Sequence, residues 1–139
     1  MTAISIKLDA AEALAMIERR ANNKAKIGAA LDETAELGVT AISAYTPVRR
    51  GHLRAATQVV SRSAYGRVIG NSRDYAAPIE YGAKAHTITA RGRSLRSESG
   101  RYFGKKVNHP GNRPYHMFER GAKTVFVNMP SIFERHLAQ

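Results

Sequence analysis

Thr46-Pro47-Val48-Arg49-Arg50-Gly51-His52-Leu53-Arg54-Ala55-Ala56 is the corner on which the reading of this chain turns. Upstream of it, Ile27, Leu31, Ala35, Gly38, Ile42 and Tyr45 recur at spacings of three and four, the period of one helix face. Asp32, Glu33 and Glu36 fall mostly on the opposite side. Pro47 should stop that helix, because proline disfavours helical geometry in the residue before it and has no amide to donate. Gly51 then supplies a turn, and the β-rich run Ala55 to Ser61 follows. The corner therefore predicts a long helix leading into a strand, with the guanidinium groups of Arg49, Arg50 and Arg54 around the bend. Its bland reading is a helix-to-strand loop with solvated charges.

Working outward, Ala3 to Leu8 alternates weakly as a short strand, and Asp9 with Glu12 makes a capping pair for a helix over Ala10 to Arg20. Asn22-Asn23 is placed to kink or interrupt that helix. Downstream, Thr57 to Ser63 and Tyr65 to Asn71 read as two strands, Ala85 to Ala90 as a third, and Arg101 to Asn108 as a fourth stopped by Pro110. Between the last two, Arg91 to Gly100 has too little apolar content to bury itself, and reads as a mobile hairpin arm. Pro114 is expected in the first turn of a C-terminal helix whose apolar face carries Met117, Phe118, Ala122, Val125 and Phe126. Pro130 is expected to break that helix before a last turn. The fold class is α+β: a long N-terminal helix packed on a small, mainly antiparallel sheet, with a C-terminal helix and an extended basic loop. No repeat or linker divides residues 1–139, so one domain is expected.

The chain carries a net charge of +11, and its location is informative. Residues 49–113 hold 14 of the 22 Lys and Arg but only Asp74, Glu80 and Glu98 of the 11 acids, so the remainder is neutral. A block of this kind favours an acidic partner surface or a polyanion. Cysteine is absent, which excludes disulfides and thiolate chemistry. No signal-peptide pattern and no run of 18 apolar residues is present, so neither a leader nor a membrane span is expected.

Catalytic chemistry finds little support. The five histidines, His52, His86, His109, His116 and His136, lie in different segments without a nucleophile motif or a metal-ligand spacing. Glu80 lacks a second acid, and an arginine such as Arg49 or Arg54 is its expected partner. Tyr75 and Tyr81 are expected as core or sheet aromatics. No enzyme activity, metal or cofactor is expected. Sequence-independent nucleic-acid binding is the rival function, through Arg49, Arg50, Arg54, Arg62, Arg67 and Arg73 near Tyr65 and Tyr75, although no common binding module appears.

Two later segments join the corner. Pro47, Arg49, Gly51, Leu53 and Arg54 are followed by Tyr75, Ala76, Glu80, Tyr81 and Gly82, then by His109, Pro110, Gly111, Pro114 and Tyr115. In this order the three blocks, P-V-R-x-G-x-L-R, Y-A-x-x-[IV]-E-[FY]-G and H-P-G-x-x-x-x-P-[FY], resemble the tail-completion or neck proteins of long-tailed bacteriophages. The resemblance spans about residues 27 to 127. It departs where Arg50 and Ala83 stand in place of a frequent Thr, and where Arg120-Gly121 replaces a frequent Pro-Ala. It implies a structural virion protein at the head–tail junction, made in the host cytoplasm. The implied partners are copies of the same chain in a sixfold homo-oligomeric ring, with connector, other neck and tail-tube proteins around it. Contact with DNA in the bore is left open. The blocks, together with Arg91, Arg93 and Arg96 of the arm, are the expected interface or structural residues. A physical basis for a ring would be the basic middle of one subunit meeting Asp32, Glu33 and Glu36 of the next.

Overall fold

The computed structural model describes residues 4–11, 13–16, 24–97 and 99–139. The first strand, β1 (Ile4–Asp9), ends where expected, and Asp9 Oδ1 accepts the Ala11 amide proton at 3.0 Å. Glu12 and Asn22-Asn23 lie outside the described residues, so the capping pair and the kink do too. The long helix α1 (Lys24–Tyr45) buries Ile27, Leu31, Ala35, Gly38 and Ile42, the face marked by the apolar spacing. Strands β2 (Thr57–Ser63) and β3 (Gly66–Asn71) form a hairpin, and the antiparallel sheet has the order β1-β3-β2. Register runs from Ile4↔Asn71 to Asp9↔Gly66 on one side of β3 and from Thr57↔Asn71 to Ser63↔Gly66 on the other, with a bulge between Val59 and Ser61.

The corner does not pass straight from helix to strand. Thr46 is buried and bonds back through Oγ1 to the Ile42 carbonyl at 2.7 Å, closing α1 just before Pro47. Gly51 takes φ 81°, the left-handed turn expected of it. A short helix α2 (His52–Ala55) then intervenes, closed by Ala55 N–H to Gly51 O at 2.9 Å and Ala56 N–H to His52 O at 3.1 Å. His-Leu-Arg-Ala contains no β-branched residue to resist helical geometry, and the first, Thr57, starts the strand. Leu53 is buried, and its carbonyl accepts Asn71 Nδ2 at 2.7 Å, so the corner is stitched to the end of the central strand.

A helix that the sequence reading did not mark, α3 (Ala76–Tyr81), carries Pro78 in its first turn, where the missing amide costs nothing. The C-terminal helix α4 (Met117–Leu137) differs from expectation at both prolines. Pro114 lies outside it, because His116 sits in the left-handed region (φ 50°, ψ 39°) and sets the start at Met117. Pro130 lies inside it and does not end it. Buried Val125 precedes the proline and buried Ile132 and Phe133 follow it, so packing on both sides holds one continuous axis. Helix α1 is clasped between α4 and the β2–β3 hairpin. Two apolar clusters fill the interior: one centred on Leu8, Ile42, Ile69 and Met117, the other on Leu14, Ile27, Leu31 and Phe133.

Arg67 of β3 is buried, with Nε 2.6 Å from Asp32 Oδ1 and Nη1 donating to the carbonyls of Ser63 (2.6 Å) and Gly66 (2.8 Å). Its Nη2 reaches the Gly28 carbonyl at 3.2 Å, so one guanidinium ties hairpin to helix. Arg67 thereby leaves the basic cluster that the sequence suggested for nucleic acid, and Asp32, also near Arg62, leaves the acidic face suggested for a ring neighbour. Arg67→Ala should cost about 2 kcal/mol, since charged hydrogen bonds are lost and buried carbonyls are left bare. Asp32→Ala should cost less, because the guanidinium it leaves without a counter-charge keeps its three carbonyl acceptors. Urea titrations giving equal losses would contradict this asymmetry.

Glu33 is also spent within the chain. Arg135 grips both its oxygens, Nη1–Oε2 at 3.0 Å and Nη2–Oε1 at 2.5 Å, and His136 Nε2 lies 2.6 Å from Oε2. The hydrogen bonds from Arg135 and then His136 pull the Glu33 carboxyl from its ordinary 4.5 down to about 2. A lowered carboxylate pKa contributes stability that is complete above the unfolded value and is lost as pH falls through the folded one. The melting temperature should therefore fall between pH 4.5 and about 2. Glu33→Gln should flatten that part of the profile, and an unchanged slope would rule the clamp out as its source.

Candidate functional site

The second and third motif blocks meet in a joint made mostly of backbone. Between α3 and the approach to α4, Tyr115 N–H donates to Ile79 O at 2.9 Å and His116 N–H to Glu80 O at 3.2 Å. Asn112 Nδ2 donates to Pro78 O at 2.9 Å, and Ala83 and Asn112 exchange both amide bonds at 3.0 and 2.9 Å. Gly111 has φ 80°, and any β-carbon there would collide with the backbone of Ala83 to Ala85. The glycine of the H-P-G block is thus required by this crossing. Gly82 (φ 80°) faces Pro114 across the same joint, where a β-carbon would lie 3.0 Å from Pro114 Cδ.

Glu80 is the key of the joint, and its role differs from the expected arginine pair. Its side chain is buried, with Oε2 accepting Phe118 N–H at 2.9 Å and Oε1 accepting Glu119 N–H at 3.1 Å. These are amides at the start of α4 that no helical carbonyl can satisfy, and a carboxylate there also meets the positive end of the helix. Arg54 instead donates to Thr46 O at 3.4 Å, and Arg49 is exposed. His116, the residue preceding the helix, holds its unusual backbone with Nδ1 at 2.9 Å from Glu119 Oε2.

The first block faces this joint across a cleft of about 620 Å³. Arg49, Gly51 and His52 line one side, Tyr75, Ile79 and Tyr115 another, and Ser97 and Ser99 of the arm lean over it. Tyr75 and Tyr81 are 42% and 72% exposed, so they are surface rings and not the core aromatics expected. Among the described residues that line the cleft the charged side chains are Arg49 and Arg50, so this lining suits an anionic or hydrogen-bonding partner.

From the joint projects a ribbon of β4 (His86–Thr89) and β5 (Lys106–His109), paired from His86↔His109 to Thr89↔Lys106. The expected strand from Arg101 is thus shortened, because Gly104 at φ 81° interrupts it, while Pro110 ends it as expected. Beyond the ladder, Ala90 bonds Lys105, Leu95 bonds Gly104 and Phe103, and Ser97 bonds Arg101, so the arm is a hydrogen-bonded hairpin. At the root, His86 and His109 stack with ring centroids 5.0 Å apart. At the tip, Arg96 lies over Tyr102 and Arg101 over Phe103, at 5.4 and 5.3 Å from the ring centroids. Arg91, Arg93 and Arg96 are exposed along the arm.

Sequence reasoning missed Asn71, Asn112 and His116. The first two are amides whose partners lie 18 and 34 residues away. An isolated asparagine reads only as a turn residue, and nothing local marks its distant acceptor. Among the described residues, no three potential ligands gather as a metal site, and no helix is long and apolar enough to cross a membrane. In comparisons with protein-family models, curated proteins and solved structures, nothing matched this chain.

Proposed function

We propose that this chain is a non-enzymatic structural protein of a tailed bacteriophage, joining head and tail as a ring-forming neck or tail-completion component. The observation that carries the reading is the convergence of the three motif blocks on one joint and cleft at the root of a projecting ribbon. Residues so far apart in sequence are spent there on fixing a platform. An isolated two-stranded ribbon is marginal in water, so one carried on a rigid root is suited to reach a neighbouring subunit. Head-to-tail contacts of that kind close into rings, here sixfold, stacked between connector and tail-tube proteins in the virion. With Asp32 and Glu33 engaged internally, Glu36 alone of the helix acids is left for such a contact.

Deletion of Gly92 to Ser99 tests this. The deleted protein should keep its circular dichroism and melting profile but lose ring formation by light scattering, and particles carrying it should lack attached tails. Tailed particles with the deletion, or a wild-type chain that stays monomeric and is missing from purified virions, would overturn the assignment.

A further inference from the structure

We infer that the ribbon of residues 83–112 is a nucleic-acid-binding arm that grips the phosphate backbone, a property that goes beyond ring assembly. The excursion contains seven Lys and Arg against one acid, Glu98. Every residue of β4 is exposed, and among the described residues none of the seven cations has an ion-pair partner. By contrast, Arg62 and Arg67, candidates from the sequence alone, are turned onto Asp32.

The make-up of the arm fits nucleic acid as a second partner, beside the neighbouring subunit that the ring reading has it reach. Protein interfaces enrich arginine and aromatic rings but are depleted in lysine, and the excursion adds Lys84, Lys105 and Lys106 to its arginines. Here cations run the length of the excursion and the apolar groups are few. Contacts to nucleic acid are more polar and far more positive, and the major groove admits a two-stranded ribbon. The tip fits the same partner: Tyr102 and Phe103 are 65% and 45% exposed, each beneath an arginine, an arrangement on which bases can stack.

The test is fluorescence anisotropy of the full chain with labelled single-stranded and duplex DNA over a range of salt concentrations, with oligomeric state measured on the same samples. Affinity should fall steeply with salt. Combined Arg91→Ala, Arg93→Ala, Arg96→Ala and Arg101→Ala should weaken binding at least about tenfold and flatten the salt slope, each lost phosphate contact removing about 0.9 from it. Lys105→Glu with Lys106→Glu should act in the same direction, and unchanged circular dichroism will exclude misfolding. Lys24→Ala with Lys26→Ala, on α1, removes charge away from the arm and should leave affinity within about twofold. Equal losses from the α1 pair and the arm variants would show diffuse attraction only and overturn the proposal. So would undetectable binding, or arm variants that abolish ring formation while leaving DNA affinity intact, the outcome expected of a protein-binding arm. Rings that fail to form while DNA binding persists would count against the neck assignment alone.

Discussion

Valine in place of Gly121 is expected to destabilise the protein by at least about 4 kcal/mol, enough to consume much of a small domain's stability. A β-carbon at this position would lie 3.0 Å from Ile42 N and 3.1 Å from Ile42 Cα, with the Ile42 side chain closer still. The obstacle is backbone in the interior of α1, and Ile42 is fully buried, so neither helix can retreat without opening the main cluster. Alanine is the sharper probe. In an exposed helix interior, glycine to alanine gains about 1 kcal/mol, but here the contact should turn that gain into a net loss of about 1 to 2 kcal/mol. Urea denaturation decides the matter, and an alanine variant more stable than wild type would refute the close helix contact.

Removing the Glu80 carboxylate should cost about 3 kcal/mol, the second largest effect expected. Two amides at the start of α4 would lose a charged acceptor in a buried setting, at about 1.5 kcal/mol each. Glu80→Gln keeps one acceptor oxygen and should lose about half as much. Hydrogen exchange supplies a local readout: the amides of Phe118 and Glu119 should exchange faster in Glu80→Ala, ahead of the rest of α4. Arg49→Ala should leave stability nearly unchanged and add independently to Glu80→Ala, since the two side chains do not meet. A coupling above about 0.5 kcal/mol between them would restore the arginine pair suggested by the sequence.

The elements that were legible in the sequence are those whose signal is local and periodic. Helix α1 announced itself through three- and four-residue spacing, β2 and β3 through β-branched runs between turn residues, and Gly51 through its position after Pro47. What escaped depended on distant partners. Glu80 lies among apolar residues in sequence, and only the return of the chain 38 residues later supplies the amides it caps. Pro130 reads locally as a helix breaker, yet tertiary packing of Phe133 and Val125 carries the helix through it. Of the basic middle, charge counting could not separate Arg67, folded inward, from the arm arginines that stay in water. The candidate site was therefore visible as three blocks of letters, while the welding of two of them into one joint was not.

The mutual amide bonds of Ala83 and Asn112 have an evolutionary corollary. The excursion from Lys84 to Gly111 leaves and re-enters the domain through a single gate, and none of its described residues belongs to either apolar cluster. Doubling the length of such an insertion adds only about 0.6 kcal/mol of closure entropy. Descendants of this chain can therefore lengthen, trim or recolour the arm while Glu80, Gly82 and Gly111 keep the gate shut.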